Sequence, residues 1–375
     1  MKHDQITIDT GSIARPQQAG RASSVGFDRF APGGLLADAW ERLERHAALP
    51  TQGLGFIAAL SRSLLADTPI AVFTGRGAGG LQGLIPLCRS AGAWSRWRLA
   101  GVCEVFEPGD ALCDGPEGAR LLAQVLTRES RPVTLDRIPA DAPMIAALRD
   151  AMRGRALVSV RPAAGSPFIT LGPQWHRPED CFNAGRRSDF RRAARRAAAL
   201  GPVFHEVIAP DRHDFDTLFD EAIAVELRSW KGESGSAMAR QPGKEALFRD
   251  WLRHAAGRGT LRIAFLRIGQ RAVAMQMGMV HTNRFWLLKI GYDAAYGACS
   301  PGSLLMLHML GHCAREGLEA CELLGAMEPW ITHMWTQEQH DCVRLRSYPY
   351  NLRGAVALAA DGAVWLRERL ARRAR

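Results

Sequence analysis

The order of predicted elements in the first half of the chain recurs in the second half, about 190 residues later. In each copy a helix pattern precedes two strands joined by a glycine-containing turn, then a third strand, a second helix and a final strand. The matched segments begin near residues 54 and 246, 70 and 261, 96 and 285, 117 and 303, and 133 and 321. This recurrence predicts two related α/β units, each with a mixed, mostly antiparallel sheet and helices on both faces.

The length of 375 residues also favours two domains over a single core. We expect a flexible polar tail over residues 1–30, an N-terminal unit over residues 31–160, a C-terminal unit over residues 161–350 and a basic helix over residues 351–375. Several prolines and glycines mark residues 155–178 as the crossing between the units.

Composition narrows the class of protein. Hydrophobic residues make up 47% and charged residues 23% of the chain, as in soluble globular proteins. No apolar run reaches the ~18 residues of a transmembrane helix. The first residues lack the apolar core of a secretion signal, so a cytoplasmic location is expected.

The net charge of +10 favours acidic or phosphorylated ligands. Only four of the 48 basic residues are lysines, which indicates a compositional bias toward arginine. Because no zinc-finger or RNA-binding signature accompanies the charge, DNA is not an expected partner.

A metal site is not expected either. The eight cysteines show no Cys-x-x-Cys spacing and are interpreted as reduced residues. His308 and His312 have the i,i+4 spacing of zinc ligands on a helix, with Cys313 beside them, but no carboxylate motif accompanies them.

The segment that starts at Ser300 has the features of an anion-binding loop before a helix. Pro301 lacks an N–H and suits the start of a helix, and Gly302 allows close approach of a ligand to the backbone. Ser300 and Ser303 can cap the helix or donate hydrogen bonds. The helix expected over residues 303–316 directs its positive end at this loop, which predicts a pyrophosphate site.

Four phrases resemble the GNAT acyltransferase superfamily, in particular the CelD-type acetyltransferases named for association with bacterial cellulose biosynthesis. They are Glu226-Leu-Arg-Ser-Trp-Lys-Gly, Gly291-Tyr-Asp, Ser300-Pro-Gly-Ser-Leu-Leu and Leu324-Gly-Ala-Met-Glu-Pro-Trp. The repeated halves are similar to Fem-type aminoacyltransferases, which carry tandem GNAT-like units. The resemblance therefore implies tandem GNAT-like domains.

The resemblance also implies a co-substrate, acetyl-CoA or another acyl-CoA, and direct attack of an amine on its thioester. The strand over residues 285–290 would hold the thioester, and the loop that follows would bind the pyrophosphate. The implied cofactor-binding residues are Lys289, Ile290, Ser300, Pro301, Gly302, Ser303 and Leu304. The loop departs from the usual Arg/Gln-x-x-Gly-x-Gly/Ala pattern, and Trp330-Ile331 stands where related chains often carry a tyrosine.

Glu226 and Asp293 are the candidate general bases, with Glu328 third. An ion pair with Arg228 is the alternative role for Glu226. The expected acceptor is an amine of a small molecule or amino sugar, bound by Trp230, Lys231, Tyr292, Glu328 and Trp330. Two other functions stay open: aminoacyl transfer from aminoacyl-tRNA, and a non-catalytic accessory role in polysaccharide biosynthesis.

A basic helix precedes the C-terminal repeat, with arginines at 186, 187, 191, 192, 195 and 196. It predicts either a clamp for a phosphate-bearing substrate or a solvated face. The N-terminal unit has no Ser-Pro-Gly-Ser loop, and its acidic residues over 102–110 would repel a pyrophosphate. We therefore expect that unit to serve as a scaffold and as a wall of the substrate cleft.

Overall fold

The computed structural model describes residues 27–31, 33–34, 36–92, 94–229, 235 and 237–373. The fold is mixed α/β, with helices on both faces of one sheet that contains thirteen strands among these residues. The two predicted sheets are thus joined edge to edge. Most of the predicted tail lies outside the described residues, but Phe27–Arg29 forms strand β1 and pairs with the sheet.

The first half begins with β1 and contains two long antiparallel strands and helices on both sides. Its further elements are α1 (Ala37–Leu43), α2 (Leu54–Arg62), β2 (Ile70–Gly77), β3 (Gly80–Arg89), β4 (Trp97–Leu99), α3 (Val102–Val105), β5 (Leu112–Cys113), α4 (Gly115–Leu126), β6 (Val133–Pro139), α5 (Pro143–Ala151) and β7 (Ala156–Thr170).

The second half begins with one additional helix and then repeats most of this order, with its first strand in the position of β1. Its elements are α6 (Ala184–Ala198), β8 (Val203–Ile208), α7 (Phe215–Leu227), α8 (Pro242–Gly257), β9 (Leu261–Ile268), β10 (Arg271–His281), β11 (Arg284–Tyr292), α9 (Pro301–Arg315), β12 (Ala320–Glu322), α10 (Pro329–Met334), β13 (Gln339–Pro349) and α11 (Leu352–Arg373).

The sheet order is β1-β2-β3-β4-β6-β13-β7-β12-β11-β10-β9-β8, with β5 beside β3. The pairs β4–β6 and β11–β12 are parallel, and the other described pairs are antiparallel. The expectation of a mostly antiparallel mixed sheet is confirmed. The repeat is visible in the equivalent positions of β2, β3, β4 and β6 and of β9, β10, β11 and β12.

The two halves exchange their last strands. β7 follows the elements of the first half but pairs with β12, whereas β13 follows the elements of the second half but pairs with β6. β7 and β13 also pair with each other along most of their length. The predicted crossing over residues 155–178 is therefore mainly a strand of 15 residues. The boundary at residues 160 and 161 falls within it, and the division into domains stays a prediction.

One hydrophobic core extends across both halves. It joins Trp40 and Phe56 to Phe215, Phe248 and Trp286, all of them buried. A second core lies under α6 and α9, and a third lies under α4 and α5. Because a buried side chain of this size contributes about 1.5–3 kcal/mol, the shared core holds the halves firmly together.

Candidate functional site

The loop after β11 leads through a short 3₁₀ helix, Ala294–Cys299, into α9. Ser300 adopts a left-handed conformation with φ of 48°, and its carbonyl oxygen accepts hydrogen bonds from the amides of Ser303 (3.1 Å) and Leu304 (3.2 Å). The predicted side-chain cap at Ser300 does not form. The helix begins at Pro301, two residues before the predicted start. The first amide of α9 able to donate a hydrogen bond is therefore that of Gly302.

The start of α9 packs closely against the end of β11. Pro301 and Leu304 are buried in the core, so they anchor the loop and would meet a ligand through backbone only. A Cβ atom on Gly302 would lie 3.3 Å from the ring of Tyr292. Tyr292 thus shapes the space in front of the helix, and the loop is more confined than the sequence suggested.

The basic helix α6 lies beside this loop. It packs against both the 3₁₀ helix and α9. Burial raises the pKa of the Cys299 thiol, and the positive charge of Arg196 partly opposes this rise. Arg186 donates to the carbonyl oxygen of His333 in α10 at 3.0 Å. Three exposed arginines of α6 form no ion pair within the described residues: Arg191, Arg195 and Arg196. Of these three, Arg196 brings positive charge near Cys299, just before α9.

Glu328 and Trp330 lie at the start of α10. The Trp330 indole N–H donates to Glu328 Oε2 at 2.7 Å, and the Trp330 ring is 42% exposed. Met334 at the end of α10 brings its sulfur 3.5 Å from Ser303 Oγ. The structure therefore brings the end of α10 into contact with the Ser-Pro-Gly-Ser phrase.

Asp293 is held by two guanidinium groups. Its Oδ2 accepts hydrogen bonds from Arg228 Nε (2.9 Å) and from an Arg271 terminal nitrogen (2.7 Å), while Oδ1 accepts from the Ala295 amide (3.1 Å). Burial alone would raise the pKa of Asp293, but these hydrogen bonds outweigh it and hold the pKa below its usual value. A carboxylate stabilised in this way is a poor proton acceptor, so its contacts favour a role in fixing the turn after β11.

Glu226 is buried on α7 rather than exposed at the mouth of a cleft. It is 2% exposed, and its Oε2 accepts a hydrogen bond from the Met238 amide at 2.9 Å. A Cβ on Gly291 would lie 3.0 Å from Glu226 Cα, so the end of α7 touches β11 directly. The alternative ion pair with Arg228 is not formed, because Arg228 binds Asp293. Helix α7 ends at Leu227, and Trp230 and Lys231 lie outside the described residues.

Lys289 and Ile290 point to opposite sides of β11. The Lys289 ammonium lies 4.1 Å from the centre of the Phe248 ring in α8, on the face that packs against the first half. Ile290 packs into the core beneath α9. Lys289 therefore lies on the opposite face of the sheet from the loop at Ser300, a position that disfavours its predicted contact with the pyrophosphate.

Sequence reasoning missed Glu107, which joins the halves beside β11. Its carboxylate accepts a hydrogen bond from the Gly325 amide at 3.1 Å, just after β12. Burial raises the pKa of Glu107 to about 7, although Gly325, Lys289 and Arg137 oppose the shift. A carboxyl group that titrates near neutral pH is suited to proton transfer. The sequence signal was only an acidic residue in the segment equivalent to the anion-binding loop of the second half.

Arg137 fixes the same junction. It is 3% exposed and donates to the carbonyl oxygens of Phe106, Ala164 (3.2 Å), Gly165 (3.2 Å) and Gly325. These acceptors belong to the first half, to β7 and to the loop after β12. One side chain thus holds three segments around Glu107.

The histidines weighed as zinc ligands have other contacts. The rings of His308 and His205 stack with centroids 4.7 Å apart, and burial lowers the pKa of His308 to about 4. His312 Nε2 lies 3.3 Å from a Glu316 oxygen. In the part of the chain that the structure describes, no group of three or more His, Cys, Asp or Glu side chains is arranged to hold a metal. Nor does any helix in that part have the length and apolar character to cross a membrane.

Comparison with known proteins shows similarity in part of the sequence and in the fold. Residues 184–330 match the family model of the acetyltransferase (GNAT) domain. No curated protein sequence matches the chain. The fold is similar to that of FemX, with a TM-score of 0.55 at 10% identity, over 86% of this chain and 98% of FemX.

Two further solved structures are similar over both halves. A protein of unknown function from Bacteroides thetaiotaomicron gives a TM-score of 0.53 at 13% identity, over 86% of this chain and 99% of that one. The other is the C-terminal domain of a protein described as a putative lysylphosphatidylglycerol synthetase from Agrobacterium fabrum. Its TM-score is 0.51 at 14% identity, over 86% of this chain and 96% of that one. At these identities the similarity is one of fold. Residues 184–330 are thus similar to the acetyltransferase (GNAT) domain family, and the whole chain has a fold similar to that of FemX.

Proposed function

We propose that the protein is an acyl-CoA-dependent N-acyltransferase that transfers an acetyl group to an amine of a small molecule. The observation that carries this proposal is the start of α9, where a helix N-terminus lies beside the basic helix α6 and near the charge of Arg196, within the region that matches the GNAT domain family. Both features favour a ligand with several negative charges. The pyrophosphate of CoA has that chemistry.

The residues at the start of α9 fit the pyrophosphate in distinct ways. The Gly302 amide and the Ser300 and Ser303 hydroxyl groups offer hydrogen bonds, while Arg195 and Arg196 supply charge. Pro301 and Leu304 hold the backbone in place from the core. The site thus needs no lysine, which agrees with the position of Lys289 on the other face.

The transfer follows from one nucleophilic attack. The amine nitrogen bonds to the thioester carbonyl carbon, the carbon–sulfur bond breaks, and the thiolate leaves on CoA and takes a proton from solvent. The attacking nitrogen must lose a proton, and Glu107 is our first candidate to accept it. Its carboxyl group accepts a hydrogen bond from the Gly325 amide in the loop after β12, and its pKa of about 7 suits this task.

Glu226 remains the second candidate for the base, because it lies against β11 beside Gly291. Asp293 is better suited to positioning the loop, as its pKa is lowered by its hydrogen bonds. Tyr292, Glu328 and Trp330 stay proposed substrate contacts near the start of α9.

Aminoacyl transfer from aminoacyl-tRNA is the second candidate function. The FemX-like fold and the basic surface of α6 favour it. The CelD-type branch, a link to polysaccharide biosynthesis and a cytoplasmic location stay predictions that rest on the sequence.

Calorimetry with acetyl-CoA, a long-chain acyl-CoA and an aminoacyl-tRNA tests these proposals directly. We expect acetyl-CoA to bind with a dissociation constant in the micromolar range, which corresponds to about −8 kcal/mol. Binding of aminoacyl-tRNA alone would move the assignment to the Fem-type reaction. Binding of none of the three would leave the accessory role.

A further inference from the structure

A cavity of about 550 Å³ lies between the two halves, apart from the start of α9. Its floor is the face of the central strands, where Ser166 of β7, Glu322 of β12 and His340 of β13 come together. Its walls come from the first half, including Leu49, and from residues 139–141. The cavity is thus built at the strand exchange and requires both halves.

The cavity reaches the point where β11 and β12 part. Trp286 and Glu322 line it, and they form the last pair of the parallel ladder between these strands. Beyond Glu322 the chain follows β7 instead, since the Leu323 amide donates to the Pro167 carbonyl oxygen at 2.9 Å. Pro108, the residue after Glu107, also lines the cavity. A ligand here would therefore lie near the proposed base.

The charges on the floor of the cavity are compensated. Glu322 is 1% exposed and binds Arg284, and both of its oxygens lie within hydrogen-bond distance of His340 Nε2, at 3.0 and 3.1 Å. The His340 ring stacks on Phe168 with centroids 4.1 Å apart. These contacts give the floor a fixed shape without leaving a free charge on Glu322.

Two carboxylates near the floor have no such partner. Asp141 and Asp341 are exposed, line the cavity and form no ion pair within the described ranges. They are neighbours, because the amide of Ala140 donates to the Asp341 carbonyl oxygen at 2.9 Å. In a chain with a net charge of +10, two unpaired acidic groups at one cavity mark a site for a cation.

A second observation points to a ligand independently of these charges. Ser166 borders the cavity and is 2% exposed, yet its hydroxyl has no hydrogen-bond partner among the described residues. A buried hydroxyl without a partner is uncommon and costs free energy. A polar group of a bound molecule would satisfy it.

We propose that this cavity binds the acceptor, and that the acceptor is a small molecule with at least two amino groups. One amino group is held as an ammonium ion by Asp141 and Asp341. The other reaches the end near Trp286 and Pro108, where it is acylated. This inference rests on the proposed acyltransferase function and names the substrate class of that reaction.

The test compares two ligands that differ by one amino group, putrescine and butylamine. Calorimetry is done on the full chain saturated with CoA. We expect putrescine to bind at least about tenfold more tightly than butylamine, because only putrescine can place one ammonium group at Asp141 and Asp341 and a second amino group at the acylation end. The double variant Asp141→Asn/Asp341→Asn should lose this preference, whereas Asp67→Asn, an exposed carboxylate outside the cavity lining, should keep it.

Ser166→Ala provides a second variant that is expected to fold. Its thermal midpoint should equal or exceed that of the parent, because the substitution removes an unsatisfied group. Putrescine binding should weaken about threefold or more. Equal binding of the two amines, or an unchanged preference in the double aspartate variant, would overturn the proposal. If CoA binds in the same experiments but the preference for putrescine is absent, the diamine proposal fails while the acyltransferase assignment stands.

Discussion

The side chains of Glu107 and Arg137 join the first half of the molecule to the loop after β12 in the second half. Glu107 meets the Gly325 amide across 218 positions of sequence, and Arg137 reaches the same residue from 188 positions away. Neither contact follows from local patterns, since each depends on how the halves pack. The sequence shows that the segment over residues 102–110 is acidic and predicts that its unit forms a wall of the cleft. It does not predict the contact of Glu107 with the loop after β12.

The first prediction at this scale concerns proton transfer. We expect Glu107→Gln to lower turnover by ~10²–10⁴ with little change in the affinity for acetyl-CoA, because the amide still accepts the Gly325 hydrogen bond but cannot take a proton. The loss should shrink as pH rises and the free amine becomes populated. Steady-state rates from pH 6 to 9 measure this. Larger losses in Glu226→Gln than in Glu107→Gln would assign the base to Glu226.

The raised pKa of Glu107 also predicts how stability depends on pH. The folded protein holds this proton up to about pH 7, whereas a carboxyl group in the unfolded chain releases it near its ordinary value of 4.5. The contribution of Glu107 to the free energy of unfolding is therefore complete below about pH 4.5 and is lost as pH rises through 7. Burial also raises the pKa of Asp110 to about 7, so the contribution of Asp110 to the free energy of unfolding is lost over the same range.

Urea unfolding at pH 5 and pH 8 should show this loss in the parent and a smaller loss in Glu107→Gln. Glu319→Gln, at an exposed carboxylate, serves as the control and should follow the parent. An identical pH dependence in parent and Glu107→Gln would contradict the buried, protonated state of Glu107.

Among the elements, α6 and α9 carry the proposed cofactor site. The sequence predicts both helices, and the bounds predicted for α9, residues 303–316, lie within two residues of the observed ones. For α6 the sequence predicts a basic helix without bounds. The placement of α6 beside α9 could not be predicted, because a basic helix face has no sequence signal for its neighbour. The face on which Lys289 lies could not be predicted, since the local register shift near this part of β11 changes which face each residue occupies.

The element-scale prediction tests the arginines of α6. We expect Arg195→Gln/Arg196→Gln to weaken acetyl-CoA binding about tenfold at low salt, because two positive charges near the phosphates are lost. The difference from the parent should narrow at high salt, where screening reduces exposed charge effects. Calorimetry at two ionic strengths measures both.

Arg367→Gln/Arg369→Gln on α11 is the matched control, because it changes the net charge by the same amount at another exposed helix. An equal loss of affinity in the two double variants would mean that overall charge, and not the α6 surface, attracts the ligand.

At the scale of the whole molecule, the exchange of β7 and β13 couples the unfolding of the two halves. The repeat predicts two related units. One hydrophobic core contains buried residues of both. The exchange itself could not be predicted, because strand partners depend on long-range packing and the two strands have similar patterns. Each half supplies the strand that completes the other, so neither sheet region is complete alone.

We therefore expect the chain to unfold in one cooperative transition. Calorimetric and van't Hoff enthalpies should agree, as in a two-state protein. Leu345 tests the coupling, because it lies on β13 yet is fully buried in the core of the first half. Leu345→Ala should lower the free energy of unfolding by about 2–5 kcal/mol and shift the whole transition. Leu157→Ala on β7 is the matched control, since Leu157 is 44% exposed and should cost far less. Two transitions, with only one shifted by Leu345→Ala, would show instead that the halves fold independently despite their shared strands.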